Sequence, residues 1–352
     1  MALDEVEVVK VLSLNLGSSS LKYAVHIVDG GNAECILSRD VHTSSQPDAA
    51  QEAARTAIAD TRTSVGDMDA VGHRVVFGGE DDAHAIVDDQ LLQRLESLQS
   101  LDPLHIPGAV AVIRQAQSLL VDVVHVACFD TAFFHDLPRE GRALPIPSVD
   151  PLLRRYGFHG LSYESVVRAL GPEIRPRTIL AHLGNGASVA SLLDGRPVYA
   201  SMGFSPLGGL IMSTRPGDLD PGVLLYLLER SGVTVPELRG MLETRSGLRA
   251  FSGGEGDVQA LCKRSDSDAE FAVDMFVRSV ARTIAALAAE IGGMDLLAFS
   301  GGIGEHNERI RRDICARIRF FSQSASVHVV KSDENKMLAM HAARIAERAA
   351  ML

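Results

Sequence analysis

The sequence predicts an α/β protein of two domains. Three observations carry this. The chain of 352 residues is longer than one ordinary core accommodates. A plan of apolar strand, polar glycine turn and second strand occurs twice. Elsewhere a strand runs into a glycine-rich loop and then an amphipathic helix, the order found where strands and helices alternate.

The first copy of the plan is the β-branched run Val8 to Leu14, the turn Asn15-Leu16-Gly17-Ser18-Ser19-Ser20, then Lys22 and a second run from Tyr23 to Val28. Such a hairpin turn gathers open backbone N–H groups, three hydroxyls and one cation, a set suited to a phosphate chain. It is not a P-loop, whose glycine loop opens a helix and ends in Gly-Lys-Ser/Thr. A stretch of helical periodicity, Val110 to Leu120, precedes the near-continuous apolar run Val121 to Phe129, expected to be a buried strand ending at Asp130-Thr131. Proline and glycine crowd Leu137 to Pro147, and the crossover between domains is expected between Asp130 and Pro151. The second copy runs Thr178 to Gly195, with the turn Gly184-Asn185-Gly186 and a closing Asp194-Gly195 that matches Asp29-Gly30. The spacing predicts a helix over Phe271 to Ile291, stopped at Gly292-Gly293. A strand at Asp295 to Phe299 leads into the loop Ser300 to Glu305 and the amphipathic Ile310 to Ile318, an order that aims helix N–H groups at an anion. The stretch Met337 to Ala350 reads as a helix that packs back on the first half.

Composition bounds the function. Apolar content of 46% and charged content of 22% describe a soluble globular chain. No apolar run approaches the roughly 18 residues of a membrane span, and the acidic start lacks the basic region of a secretory signal. Four scattered cysteines without C-x-x-C spacing predict reduced thiols in a cytoplasmic protein. A formal net charge of −11 argues against nucleic acid and anionic membranes as partners. An anionic substrate would need a few converging cations.

Candidates for that role sit in short segments mixing His, Arg and Asp with glycine, the composition of functional loops. They are Gly72-His73-Arg74-Val75-Val76, Pro103-Leu104-His105, Phe129-Asp130-Thr131, Tyr156-Gly157-Phe158-His159-Gly160 and Thr214-Arg215-Pro216-Gly217-Asp218-Leu219-Asp220. Each has a plain alternative: Asp130 as a helix N-cap, Asp218 and Asp220 as turn formers, His105 as a turn residue. Together, two phosphate-type turns, a glycine loop, two arginines and two histidines make a parts list for phosphoryl transfer, which asks for alignment and for cations around the equatorial oxygens.

In order along the chain these segments, with His182 to Ser188, Ser201-Met202-Gly203 and Gly302-Ile303-Gly304-Glu305, resemble the acetate kinase (acetokinase) family of the acetate and sugar kinase, heat-shock and actin superfamily. The resemblance implies two ribonuclease-H-like (actin-like ATPase) domains with a central cleft. It places an acyl- and Mg-side domain at 1–131 plus 337–352, and a nucleotide-binding and dimerisation domain at 132–336. The implied activity is reversible phosphoryl transfer between ATP and acetate, giving ADP and acetyl phosphate, in a homodimer. Asn15 and Glu334 would hold Mg²⁺ (or Mn²⁺) through its waters, and Lys22 would approach the phosphates. Arg74 would grip the carboxylate, and Asp130 would be the acid/base candidate, with His105 in the catalytic set. His159 and Arg215 would steady the phosphoryl group. His182, Leu183, Gly184, Asn185 and Gly186, with Asp257 and Gly302, Ile303, Gly304, Glu305 and His306, would hold ATP or ADP. Val76, Leu104, Phe158 and Pro206 would form an apolar pocket for the methyl of acetate.

The chain departs from the family pattern at Phe77, at Gly208-Gly209 (where a glutamate is usual), at Ser213 and Pro216, and at Gln259. Rival readings are a propionate or butyrate kinase, a relative using pyrophosphate, and an actin-like module in which ATP drives a shape change. The last has no need of a carboxylate clamp.

Overall fold

The computed structural model describes residues 8–17, 19–79, 83–147 and 149–351. Ser18, one of the hydroxyls expected at the first turn, lies outside these residues, as does the acidic start Met1 to Glu7. The chain divides into two compact units, Met1–His135 with Asp333–Leu352, and Asp136–Ser332.

The first unit opens on an antiparallel meander of β1 (Val9–Leu16), β2 (Ser20–Asp29) and β3 (Asn32–His42). It continues through α1 (Pro47–Val65), β4 (Ala70–Val75), β5 (Ala85–Ile86), α2 (Asp89–Ser97), α3 (Ile106–Leu119) and β6 (Val124–Phe129). The sheet order is β3-β2-β1-β4-β6-β5. Because β1, β4 and β6 run parallel, their carboxyl ends share one edge of the sheet, where α/β proteins bind ligands.

Both faces of this sheet are covered. Leu12, Leu14 and Val71 join Ala50, Ala54, Ile58, Val112 and Ala116 of α1 and α3 in one core. Gly72, on the opposite face from Val71, meets the closing helix (Glu334–Ala350): a Cβ there would lie 2.7 Å from the Leu338 carbonyl oxygen. The glycine of Gly72-His73-Arg74 is thus a point of close helix–strand approach inside β4, not part of a loop as its composition suggests. The packing of the closing helix on β1, β4 and β6 bears out the expectation for Met337 to Ala350.

The second unit holds α4 (Arg139–Arg142), α5 (Gly160–Leu170), β7 (Arg177–Leu183), β8 (Ala187–Leu193), β9 (Arg196–Ala200) and α6 (Pro221–Arg230). Then come α7 (Val235–Thr244), α8 (Leu248–Phe251), α9 (Val258–Leu261) and α10 (Ser267–Glu290). Last are β10 (Leu296–Ser300), α11 (Gly301–His306), α12 (Glu308–Ile318) and β11 (Ser326–Val329). Its sheet order, β11-β10-β7-β8-β9, read from β9 inward repeats the β3-β2-β1-β4-β6 plan: a meander, then two parallel strands. The duplicated plan seen in sequence is therefore real.

Three boundaries differ from the sequence reading. The strand expected from Val121 begins at Val124, because the chain needs Leu120 to Val123 to turn from helix to strand; Val121 is exposed. Helix α3 begins at Ile106, before the periodic stretch, since Pro107 is compatible with a first turn. The glycine loop after β10 is a short helix, α11, whose Gly301 N–H donates to the Glu305 carboxylate.

Candidate active site

At the shared edge of the first sheet, three strand ends deliver three polar side chains. Asn15 comes from β1, Arg74 from β4, and Asp130 from just beyond β6, where its N–H extends the ladder to the Val75 carbonyl. Glu334 enters from the first turn of the closing helix. Arg74 donates through Nε (3.1 Å) and Nη2 (2.7 Å) to Asp130 Oδ2. Its Nη1 donates to Asn15 Oδ1 at 3.1 Å and lies 3.7 Å from Glu334 Oε2. Asn15 Nδ2 in turn donates to Glu334 Oε2 at 2.7 Å. Asp130 is therefore a partner of Arg74 and not a helix cap.

The electrostatics follow from burial. Desolvation pulls the Arg74 guanidinium down, but the Asp130 and Glu334 carboxylates outweigh it and hold Arg74 above its ordinary range. Burial pushes the Asp130 carboxyl up, against the pull of Arg74. A guanidinium has five N–H groups. The bonds to Asp130 and Asn15 use one each on Nε, Nη2 and Nη1, so each Nη keeps a second N–H without a hydrogen bond among the described residues. A guanidinium with N–H groups left on both Nη atoms suits a carboxylate or phosphate.

His105 stands at the start of α3, with Nδ1 2.7 Å from Asp102 Oδ1. Val76 is buried just after β4, and Leu104 is half-buried. Lys22 is exposed on β2 and pairs with Asn15 in the strand register, which puts both side chains on one face.

The second unit builds a different set around the turn between β7 and β8. Gly184 N–H donates to the Gly186 carbonyl, closing the turn at 3.0 Å. His159, the residue before α5, adopts a left-handed backbone (φ 62), a conformation that costs a non-glycine residue on the order of 1 kcal/mol and gathers at functional sites. Its ring stacks on His182, centroids 4.3 Å apart. His159 Nδ1 is 2.9 Å from Ser188 Oγ, and His182 Nδ1 is 2.7 Å from Ser162 Oγ. Arg215 reaches the same turn: its loop is tied there by Ser213 N–H to the Asn185 carbonyl, and its Nη1 donates to the Pro206 carbonyl. A Cβ on Gly186 would sit 3.2 Å from His159 Nε2 and 3.9 Å from Arg215 Nη1. The glycine leaves the space that both side chains border.

The remaining sequence candidates separate. Leu183 and Asn185 belong to this turn, Phe158 is buried beside His159, and α11 packs against β7. Gly302 has open space where a Cβ would point, and Ile303 and Gly304 follow in the same helix. Glu305, expected at the nucleotide, uses its carboxylate on the N–H groups of Gly301 and Ser332, and His306 is exposed. Asp257 caps α9 through the N–H groups of Gln259 and Ala260. Asp218 takes the N–H of Gly209 from nine residues earlier, a tie between loop segments and not the turn contact expected, whereas Asp220 accepts the Gly222 N–H and caps α6. Sequence reasoning did not single out Asp102, Ser162 or Ser188. Asp102 lies three residues before the histidine it meets, a spacing that could have found it; Ser162 and Ser188 meet histidines 20 and 29 residues away, which no local signal marks.

Two units that repeat one meander-plus-parallel-strand plan, each with polar groups at the carboxyl ends of its strands, define an actin-like, ribonuclease-H-like α/β protein. The chain belongs to the Acetokinase family, whose profile matches residues 10–345. An acetate kinase of Rhodopseudomonas palustris (strain TIE-1) is 38% identical over 310 residues, covering 80% of this chain and 78% of that one. One from Nitrobacter hamburgensis is 37% identical over an alignment of 382 residues, covering 94% and 95%. Among solved structures, a Francisella tularensis propionate kinase aligns with a TM-score of 0.82 at 27% identity, over 96% of this chain and all (100%) of that one. Porphyromonas gingivalis acetate kinase aligns at 0.81 and 28%, over 96% and 99%.

Proposed function

We propose that this protein transfers a phosphoryl group reversibly between ATP and acetate, giving ADP and acetyl phosphate. The observation that carries the proposal is the Arg74 guanidinium, set by Asp130 and Asn15 so that one N–H on each Nη remains for substrate oxygens. An acetate oxygen attacks the γ-phosphorus, a new P–O bond forms, and the bond to the β-phosphate oxygen breaks as ADP leaves. Acetate is already ionised at neutral pH, so the step needs no base. Asp130 then serves to orient Arg74. His159 and Arg215, around the space at Gly186, suit the charge that spreads over the equatorial oxygens in flight.

Asn15 and Glu334 supply the hard oxygen donors that Mg²⁺ takes, and their mutual hydrogen bond keeps both at one place. Bound there, the ion would neutralise phosphate charge. The turn His182 to Gly186 and the open face at Gly302 are suited to the phosphates and adenosine. Helix α6 supports a homodimer: none of its residues is buried, and Val223, Leu225 and Tyr226 are exposed on it with Leu219 before and Val235 after. A run of this kind marks an interaction surface, and a second copy of the chain is the proposed occupant.

Propionate is the second acid to consider, given the solved propionate kinase above. Hydroxamate trapping of acyl phosphate from formate through butyrate, with ATP, GTP or pyrophosphate as donor, tests the reading. Acetyl hydroxamate formed with ATP is expected; its absence with every acid and donor would overturn the proposal.

A further inference from the structure

Three of the histidines singled out in the two units, His105, His159 and His182, differ in what their Nδ1 atoms face. His159 and His182 face serine hydroxyls, which can donate or accept. His105 faces a carboxylate, Asp102 Oδ1, at 2.7 Å, and a carboxylate only accepts. The hydroxyls leave the tautomer of their histidines open. The carboxylate calls for a donor, and so favours a proton on Nδ1 of His105.

Asp102 is not occupied as a turn former. The turn is closed by backbone bonds, with the His105 and Ile106 N–H groups donating to the Asp102 carbonyl. Its side chain takes no backbone N–H, and its second oxygen, Oδ2, is buried with no hydrogen-bond partner among the described residues. Both side chains are shielded, at 6% exposure for Asp102 and 15% for His105. A buried carboxylate that spends its one hydrogen bond on a histidine is placed for that histidine.

The charged groups acting on this dyad belong to the first unit's cluster. Asp102 is one of the carboxylates that stabilise the Arg74 cation, and His105 acts on Asp130. Glu334 bears on both Arg74 and Asp130.

We propose that Asp102 is a positioning residue: by holding the Nδ1–H of His105 it fixes the ring's plane and tautomer for its part in phosphoryl transfer. This rests on the phosphoryl-transfer reading above. The logic is that of a histidine whose working nitrogen is set by the hydrogen bond made at the other.

The test uses full-length enzyme labelled with ¹⁵N-histidine, with His105→Gln assigning the signal. Long-range ¹H–¹⁵N spectra should show His105 protonated at Nδ1 in the native chain. In Asp102→Asn the carboxamide no longer requires a donor at Nδ1, so that signature should be lost or mixed. Its kcat should fall roughly ten- to a hundredfold, the range for groups that orient a working ligand, with the KM for ATP within about twofold. Asp102→Glu, which keeps the acceptor, should restore the Nδ1 tautomer and part of kcat. A native His105 protonated at Nε2, or an Asp102→Asn enzyme with unchanged tautomer or unchanged kcat, would overturn the assignment. The spectra need no turnover. A native enzyme that made no acyl phosphate would sink the functional reading, whereas a wrong tautomer would sink only the role of Asp102.

Discussion

The two units share a strand plan but solve the handling of charge differently. In the first, the arginine is clasped: Arg74 is bonded to Asp130 and Asn15 and flanked by Glu334, and Asp130 is 1% exposed. In the second, Arg215 donates to the Pro206 carbonyl and stands with His159 around a glycine. A clasped arginine is rigid and is needed for folding as well as binding. Arg215 instead borders the Gly186 turn of the second unit, where a transferred phosphoryl group would bring negative charge. The same difference runs through the histidines. In the first unit His26, His73, His84 and His125 are all held down by burial, whereas His159 and His182 in the second are held by hydroxyls.

The largest expected effect separates the two arginines. Arg215→Ala should lower kcat on the order of 10³-fold or more, as losing a transition-state arginine does. Arg74→Ala should also raise the KM for acetate, because Arg74 touches the ground state. It should cost stability too: Asp130 is left buried without its partner, a loss of about 3–5 kcal/mol. Arg74→Lys should not rescue, since a point charge cannot serve Asp130 and a substrate with one planar fork. Kinetics and urea unfolding on the same preparations check the contrast. An Arg74→Ala enzyme with native stability and a native KM for acetate would break it.

How much of this was legible beforehand depended on whether the signal was local. The hairpins around Gly17 and Gly186 were readable because period-two apolar runs and a glycine-polar turn fall within one stretch of chain. The set Asn15, Arg74, Asp130 and Glu334 could be nominated by resemblance, but its geometry depends on parallel strand order, which no short segment encodes. Gly72 was misread because a glycine demanded by the Leu338 carbonyl looks in sequence like a glycine demanded by a loop. Val121 was misread because apolarity alone cannot tell a strand from the turn that feeds it. Glu305 belonged to a matched motif, yet its carboxylate works on backbone N–H groups, a role visible only once Gly301 and Ser332 are in place.

Acid should act on the first unit before the second. Burial lowers the folded-state values of His26, His73 and His125, and that of His84 to about 3. The unfolded chain therefore takes up protons first as pH falls through about 6.5. Stability is full above that value and is lost on the way down towards the folded values. The loss approaches about 1.4 kcal/mol per such histidine for each pH unit. Hydrogen exchange read by peptide at pH 7.5 and 5.5 should show protection falling in 8–135 while 160–332 holds. Glutamine at position 84 should remove that residue's share. Equal losses in both units would mean that the buried histidines do not set the acid limit.

The smallest effect probes the space at Gly186. Alanine there needs no unusual backbone, but its Cβ would meet His159 Nε2 at 3.2 Å, tighter than ordinary contact. The ring must yield by a few tenths of an ångström, and it is already stacked on His182 and bonded to Ser188. Off-rotamer displacement costs about 0.5–1.5 kcal/mol, so kcat should fall roughly two- to tenfold. The KM for acetate should stay put, because Arg74 lies in the other unit's cluster. Burst and steady-state assays separate these parameters. A change confined to the acetate KM would show that the Gly186 space serves acid binding rather than the phosphoryl group, and would remove the division of labour drawn between the two arginines.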